Sequence, residues 1–549
     1  MHGLETVNHA PINGRLAALD RVAPILIALV AAAGFLAFLP QRLAAWDAIQ
    51  FALGLEDFAI PMHQPHPPGY LGHMAVGRVL TALGVACDRA IQLASLVAAA
   101  AATGAVYVLG RRLHSRAVGG LAAALFATNP VTIYYAVSGE SYPIEAFGVV
   151  VLVTLGLRLG RSARLVPLAG FFLIYGFFGG IRQSIPLFLG PFALWRLIEA
   201  CRASGPRGTL LRFGVAGGAA IAGILAWFVP LAFLAGGAHV VLDAFGSQFF
   251  KAWGAAYSPL LGATDRMVAA NLDNLWRFLL AALAPAGWAA LALAPLALRA
   301  SKPLRLHLAT YALWIAPPFL WFALMFVWKP GHMLFLCPAF ALASAAALRR
   351  ALPHGLRLLP GLAAATIVLA QIGVFLSPPA WWSHLCLCSA SGIAYDEVDT
   401  AANLDAIREL TDGDPSSVLI VARASPFSFR KAMYYLPDVP VTWLMDEMST
   451  GIAGRGLDAC EAIGHRVRCL SGGGFWMKWN LPDAIDVPIP ASTRRIVWLA
   501  PQAEPFMIEL AKKVPLRAVK AGPVSVLPVA DVGTDAIDVT VGGYRFRRE

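Results

Sequence analysis

Charge is the scarcest property of this chain. Asp, Glu, Lys and Arg make up 14% of its 549 residues, against 58% for the hydrophobic types. A soluble domain carries about a quarter charged residues, so a wholly soluble protein is excluded. Cysteine is sparse as well: there are seven, and none has the paired spacing of a metal finger. No glycine-rich run lies in the strand–turn–helix setting that cradles a phosphate, and "SGGGFWMKWN" (471–480) reads as a loop. No internal repeat stands out, which removes one common sign of a transporter. The net charge of +11 would suit a nucleic acid. Basic residues gathered in short cytoplasmic loops account for it as well, and no nucleic-acid partner is expected.

What is abundant is apolar helix. The mean hydropathy is +0.65, and eleven apolar segments read as membrane spans, for which about 20 residues are needed. They are residues 22–40, 89–110, 117–137, 143–158, 165–180, 181–198, 213–235, 276–298, 308–327, 333–348 and 358–377. Basic clusters follow every second one. Arg15 and Arg21 precede the first span. Arg111, Arg112 and Arg116 follow the second, and Arg158, Arg161 and Arg164 the fourth. Arg196, Arg202, Arg207 and Arg212 mark the next such turn. Arg299, Lys302 and Arg305, then Arg349, Arg350 and Arg357, mark the last two. This alternation places the N-terminus in the cytoplasm of a bacterial-type plasma membrane, with an uncleaved first helix.

The opposite loops, 41–88, 138–142, a break near 180, 236–275, 328–332 and everything after 378, then face outward. The apolar stretch from Gly69 to Ala86 would reverse every later basic cluster if it spanned, so it reads as a helix lying on the surface. "GVAGG" (214–218) could mark close helix packing, or be one of the glycines common in spans. After residue 378 the composition changes. "SSVLIVARAS" and "RRIVWLAPQ" read as buried strands and "PFMIELAKKV" as a helix. The chain therefore divides into a membrane domain, 1–378, and an outer soluble α/β domain, 379–549. Cys386, Cys388, Cys460 and Cys469 lie in the second part, where a disulfide is permitted. Cys460 with Cys469 is the favoured pair, and free thiols are the alternative.

Several polar residues collect on the outer side. "AAWDAIQFALGLEDF" (44–58) puts Asp47 at the head of a short amphipathic helix just past the first span, with Glu56 and Asp57 at its far end. "SGESYP" (138–143) puts Glu140 at the outer end of the third span, on the same side and at the same level. Two such carboxylates can divide the work of activating a hydroxyl and holding a divalent cation, Mg or Mn. Equally, Asp47 could be a helix N-cap and Glu140 a solvated loop residue. "HQPHPPGYLGH" (63–73) packs three prolines among three histidines. Its prolines and Gly69 make a rigid turn that can aim His63 and His66 at a site, or the two histidines can cap the turn. His73 reads as packing. Arg182 in "GGIRQS", and Lys329 and His332 in "WKPGH", are charges near spans, where charge is costly. With Lys251, Arg266 and Arg277 they form an outer ring of cations suited to a lipid-linked phosphate or to ordinary headgroups.

The stretch "WDAIQFALGLEDFAIPMHQPHPPGYLGHMAVGRVL" (46–80) resembles the first outer loop of the GT-C membrane glycosyltransferases. The nearest likeness is to glycosyltransferase family 39, with the protein O-mannosyltransferases and aminoarabinose transferases. Asp47 matches the acid after the first span and "HPPGY" (66–70), with Tyr70, matches the turn between two surface helices. Glu140 stands where a second acid is typical, and "KPGHMLFLCPAF" (329–340) resembles a later motif more weakly. The resemblance covers about residues 20–375.

It implies a polyprenyl-phosphate sugar donor and a lipid, glycan or protein acceptor. Inversion would have Asp47 as base, with Glu140 holding the acceptor or a metal and Arg182, Lys329 and His66 on the leaving phosphate. His63, Tyr70 and His332 would line the substrate site. Two departures bear on donor preference and metal requirement: Glu140 where aspartate is common, and His66 where aminoarabinose enzymes have lysine. A transporter or flippase of a lipid-linked or envelope substrate is the rival reading. A non-catalytic scaffold for the outer domain is another.

Overall fold

The computed structural model describes residues 14–60, 63–160, 164–202, 204–246, 249–250, 254–299, 305–351, 359–423, 429–445, 467–471, 485–500, 502–522, 525–533 and 537–548. Apolar helices dominate up to residue 376. They begin with α1 (Gly14–Leu36), α2 (Trp46–Glu56), α3 (Leu71–Ala82), α4 (Cys87–Leu113), α5 (Arg116–Thr128), α6 (Pro130–Val137) and α7 (Tyr142–Gly156). Next come α8 (Leu165–Phe177), α9 (Ser184–Cys201), α10 (Pro206–Leu234), α11 (Ala238–Gly246), α12 (Ala255–Tyr257), α13 (Asp265–Leu283) and α14 (Ala286–Arg299). The set closes with α15 (Arg305–Leu324), α16 (Cys337–Ala351) and α17 (Leu359–Leu376). Large apolar side chains stand outward on α1 and α10, among them Val30 at 74% and Phe233 at 86% exposed. Water would not tolerate such faces, and hydrocarbon does.

Among the described residues, α4, α9 and α10 are each long and apolar enough to cross a membrane. Two bent pairs, α5 with α6 at 61° and α13 with α14 at 87°, qualify as joined units, and four shorter apolar helices accompany them. This differs from eleven uniform spans, and the breaks have identifiable causes. At the first, Pro130 has no N–H to give, while Asn129 accepts from Val131 N and donates to the Ala282 carbonyl. At the second, Pro285 follows Ala284 and starts a new direction. The expected span 276–298 therefore straddles a corner, and the expected loop 236–275 is largely helical.

A helix precedes α4: α3 buries His73, Met74 and Gly77 and leaves Val79 outward, with Leu83 exposed just past its end. The expectation of a half-exposed amphipathic α2 is corrected. Its residues from Ala48 through Leu55 are all buried. The cause is a second cover. Phe51 and Leu55 pack on Tyr70, Met74 and Ile91. Leu43, Ala48, Ile49, Ala52 and Leu53 share a core with residues from the C-terminal part.

That part begins with α18 (Ala380–Leu385) and α19 (Ala390–Leu410), and continues with α20 (Phe429–Tyr435) and α21 (Pro505–Lys513). Its strands are β1 (Val418–Ala422), β2 (Val441–Met445), β3 (Val467–Ser471), β4 (Ile485–Ile489), β5 (Arg495–Leu499), β6 (Arg517–Ala521), β7 (Ser525–Asp531), β8 (Asp538–Val541) and β9 (Tyr544–Arg548). One sheet runs β3-β2-β1-β5-β7-β6, parallel from β3 to β5 and antiparallel beyond. A second runs β4-β9-β8. β1 is buried on both faces, as a central parallel strand requires. Val418, Ile420 and Ala422 face α20, and Leu419 and Val421 face Phe506 and Leu510 of α21.

Helix α20 lies on α2. Trp46 meets Phe429 edge-on at 5.3 Å. Tyr435 Oη accepts from Leu43 N at 2.7 Å, and Tyr434 Oη from Asp88 N at 3.0 Å. Cys87, Cys201, Cys337, Cys386 and Cys388 are free thiols. Cys460 and most of 471–480 lie outside the described residues, and so does Lys251.

Candidate active site

Asp47 enters through the first turn of α2, where unpaired backbone N–H groups and the helix dipole favour an anion. It is not the N-cap, a position held by Ala45. Glu140 lies in the short connection from α6 to α7 and is 3% exposed, so it is no solvated loop residue. Lys329 joins them. Its Nζ stands 2.8 Å from Asp47 Oδ2 and 3.3 Å from both Glu140 carboxylate oxygens.

The fold seats that lysine. A 3-10 turn, Pro330–Phe335, follows it, and a side chain at Gly331 would run into the rings of Tyr142 and Tyr135. His332 Nδ1 lies 3.1 Å from the Lys329 carbonyl and donates to it. Its ring packs between Tyr142 at 5.2 Å and Phe322 at 5.6 Å. Burial depresses the His332 pKa to about 3, so this imidazole is neutral and no member of a cation ring.

The proline-rich turn forms a side of the group. Ala59 and Gln64 pair as an antiparallel bridge that folds the segment back. Gly69 has φ +105°, and a Cβ there would sit 2.9 Å from Ile60 and Leu231. His66 Nδ1 lies 2.9 Å from Gln50 Oε1, to which it donates, and 3.8 Å from Asp47. Gln50 is one helical turn beyond Asp47 on the same face of α2. Burial depresses the His66 pKa more than Asp47 raises it. The His66 ring is oriented by the bond to Gln50. Tyr70 stacks on His66 at 6.0 Å, and His63 meets His66 edge-on at 5.9 Å, one ring further along the turn. His73 is buried against Phe51, as a packing residue.

Arg182 stands in the break before α9. Its Nε is 3.2 Å from Glu145, its Nη1 donates to Ser141 Oγ at 3.0 Å, and Tyr142 and Tyr70 lie 4.2 and 5.3 Å from its guanidinium carbon. Ser184 also donates to Glu145. The residues that sequence reasoning missed are Glu145, Ser184 and Gln50. An acid inside an apolar run is a signal in its own right, and Glu145 sits five residues beyond Glu140 in such a run. Arg277 turns elsewhere, to the His384 carbonyl and Asp273, and Arg266 is exposed.

Electrostatics separates the two acids. Burial pushes the Asp47 carboxyl up, but the Lys329 ammonium, with His66 and Arg182, outweighs it and holds Asp47 well below the usual carboxylate range. Glu140 is deeper; burial carries it up to about 7 against the pull of Lys329, and Asp47 adds to the rise. For Lys329, burial opposes the charge and the two carboxylates overcome it, so its pKa stands above the ordinary lysine value.

A cavity of about 230 Å³ opens beside the cluster. Asp47, Glu140 and Lys329 do not line it; Tyr70, stacked on His66, and His332, bonded to the Lys329 carbonyl, stand between it and them. Arg182, Glu145 and Ser184 supply its polar side, and Phe188, Phe245, Phe249, Trp321, Phe322 and Phe326 its apolar walls. One end suits an anion and the rest suits hydrocarbon.

A bundle of apolar helices, two short helices clasping a proline turn, and a mixed-sheet C-terminal part make up the architecture. Two solved structures share it, both of ArnT, the aminoarabinose transferase, from Cupriavidus metallidurans. The structure bound to undecaprenyl phosphate is 14% identical, with a TM-score of 0.53 over 92% of this chain and 97% of that one. The apo structure is 16% identical, with a TM-score of 0.52 over 93% and 98%. No protein-family model matches the chain, and no curated protein matches it by sequence.

Proposed function

We propose that this protein is an integral membrane glycosyltransferase that moves a sugar from a polyprenyl-phosphate donor to an acceptor hydroxyl at the outer membrane face. One observation carries the reading. Asp47, Glu140 and Lys329 meet beside a cavity whose single polar side is built around Arg182 and whose other walls are aromatic. A lipid-linked sugar phosphate has that same division of charge and hydrocarbon. ArnT, whose fold this chain shares, has been solved with undecaprenyl phosphate bound. The orientation follows the basic loops, with the N-terminus cytoplasmic and the α/β part outside.

The reaction needs a base, a place for developing phosphate charge and exclusion of water. The acceptor oxygen attacks the anomeric carbon from the face opposite the phosphate, its proton passing to Asp47. The bond from that carbon to the phosphate oxygen breaks, and its electron pair leaves with the lipid phosphate. Configuration inverts. Arg182, locked by Glu145, Ser141 and two tyrosine faces, is preorganised for the departing charge. Lys329 has two tasks in turn. In the resting site it neutralises Asp47, and a carboxylate so held is a weak base. Donor phosphate offers the ammonium another anion, and as Lys329 moves to share it, Asp47 regains basicity. Arrival of the donor thus switches on the base.

The test is a deletion strain complemented with wild type or with Asp47→Asn, its envelope glycans compared by mass spectrometry. Wild type should restore one missing sugar, and a stably made mutant should not. Full restoration by Asp47→Asn would remove Asp47 from the base role and favour a carrier of lipid-linked substrate.

A further inference from the structure

We infer that the ammonium of Lys329 occupies the place a divalent cation would take between Asp47 and Glu140, so that the site works with an internal cation and binds no metal there. The inference deepens the transferase reading and rests on it only for the chemistry the cation serves.

Three observations carry it. The first is fit. An ammonium has three donors and no acceptor, and its three carboxylate contacts, one of 2.8 Å and two of 3.3 Å, use that capacity in full. The second is the donor set. Magnesium demands near-octahedral oxygen ligation at about 2.0–2.1 Å. Two carboxylates are present, but among the described residues no group of three His, Cys, Asp or Glu could hold a metal. His66, the nearest further candidate, has its Nδ1 on Gln50. The third is local charge. Lys329 already sits against both carboxylates, and Arg182, itself paired with Glu145, stands nearby, so a dication would have to displace the ammonium to reach them. The lysine is not a chance visitor: the Gly331 contact with Tyr142 and the His332 bond to its carbonyl fix its backbone.

The inference departs from the expectation drawn from the sequence, in which paired acids suggest Mg or Mn. Lys329 is 282 residues from Asp47, and nothing in the local motif announces that it completes the pair.

The test uses chelator-stripped, full-length protein in detergent, with Mn²⁺ alone as the probe and electron paramagnetic resonance as the readout, at pH 8. Wild type should bind Mn²⁺ no more tightly than Asp47→Asn, within twofold. Lys329→Ala should bind it at least tenfold more tightly than wild type, and adding Asp47→Asn should abolish the gain. Lys329→Gln, which keeps the side-chain length, serves if the alanine variant does not fold. A single wild-type Mn²⁺ site that disappears in Asp47→Asn would overturn the inference, as would the absence of any gain in both lysine variants. Turnover gives a second arm. Sugar transfer by wild type in excess EDTA should stay within twofold of the untreated rate. Loss on chelation with recovery in Mn²⁺ would overturn the inference and leave the transferase reading standing. Absence of transfer under every condition would count against that reading alone, because the Mn²⁺ titrations decide the cation's place without turnover.

Discussion

Two lysines in this molecule, Lys329 half-buried and Lys431 buried, lie between pairs of acids, and they behave in opposite ways. Lys329 touches Asp47 and Glu140 directly, and those contacts lift its pKa despite burial. Lys431 in α20 lies near Asp396 and Asp399 of α19, with its ammonium 3.1 Å from the Thr400 hydroxyl. There burial prevails over the two acids, and its pKa falls below the ordinary value. The acids explain the contrast. Asp396 accepts from Tyr134 Oη at 3.2 Å, and Asp399 from Ser525. One oxygen of each is engaged in a contact that joins α19 to α6 or to β7. Asp47 and Glu140, by contrast, are held chiefly by one long, movable side chain. A cluster whose acceptors are spent on the fold is structural. A cluster held by a removable ammonium can react.

The largest effect should come from removing one acid of each cluster. Asp47→Asn should lower sugar transfer by roughly 10²–10⁴-fold, the usual contribution of a general base. Asp399→Asn should leave the rate per folded molecule within about twofold. Assay of both purified variants decides the point, and equal losses would erase the distinction. Next is Glu145→Gln, which loosens Arg182 without touching the carboxylates. It should lower kcat for transfer by about tenfold, on the order of 1.4 kcal/mol, with a smaller rise in KM for the lipid donor. A change confined to KM would mean that Arg182 binds the donor phosphate without favouring its departure. Smaller again is Lys431→Met. It removes a buried ammonium that joins α20 to α19 and should lower the thermal midpoint by several degrees, about 2–4 °C per kcal/mol. Transfer at a permissive temperature should be unaffected.

Much of this was legible in the residues. Apolar runs marked where helices lie, and four charged positions of the site, Asp47, Glu140, Arg182 and Lys329, could be named singly because charge is so rare here. β1, β5 and α21 also follow from their local patterns. What was not legible is pairing at a distance. Gln50 under His66 is a polar residue on a helix whose partner lies across a proline turn. Glu145 hides in an apolar run, and only Arg182 approaching from α9 makes sense of it. The burial of α2 depends on α20, which comes nearly four hundred residues later and covers the face that a lone loop would leave to water. The bends at Pro130 and Pro285 fall inside hydrophobic stretches, where length alone reports one span.

Glu140 offers the finest test of the comparison, because its titration changes the charge of one cluster and not of the other. Its carboxyl is raised to about 7 by burial, so it is protonated below that pH and ionised above. Asp47 stays ionised throughout and Lys329 stays charged, since their shifts run away from neutrality. The trio therefore carries no net charge below about pH 7 and one negative charge above it. A sugar phosphodiester is a monoanion across this range, so only the protein's charge changes. Donor binding should weaken as pH rises through about 7, by several-fold, on the order of 1 kcal/mol for one added charge nearby. Glu140→Gln should abolish the step and keep the low-pH affinity at all pH values. KM for the donor measured from pH 6 to 8.5 reads both. Asp396→Asn, in the structural cluster, should reproduce the wild-type curve. A step that survives in Glu140→Gln would place the titrating group elsewhere. A step that also vanishes in Asp396→Asn would mean that α19 and α6 transmit charge to the site, and the two clusters would then be one network.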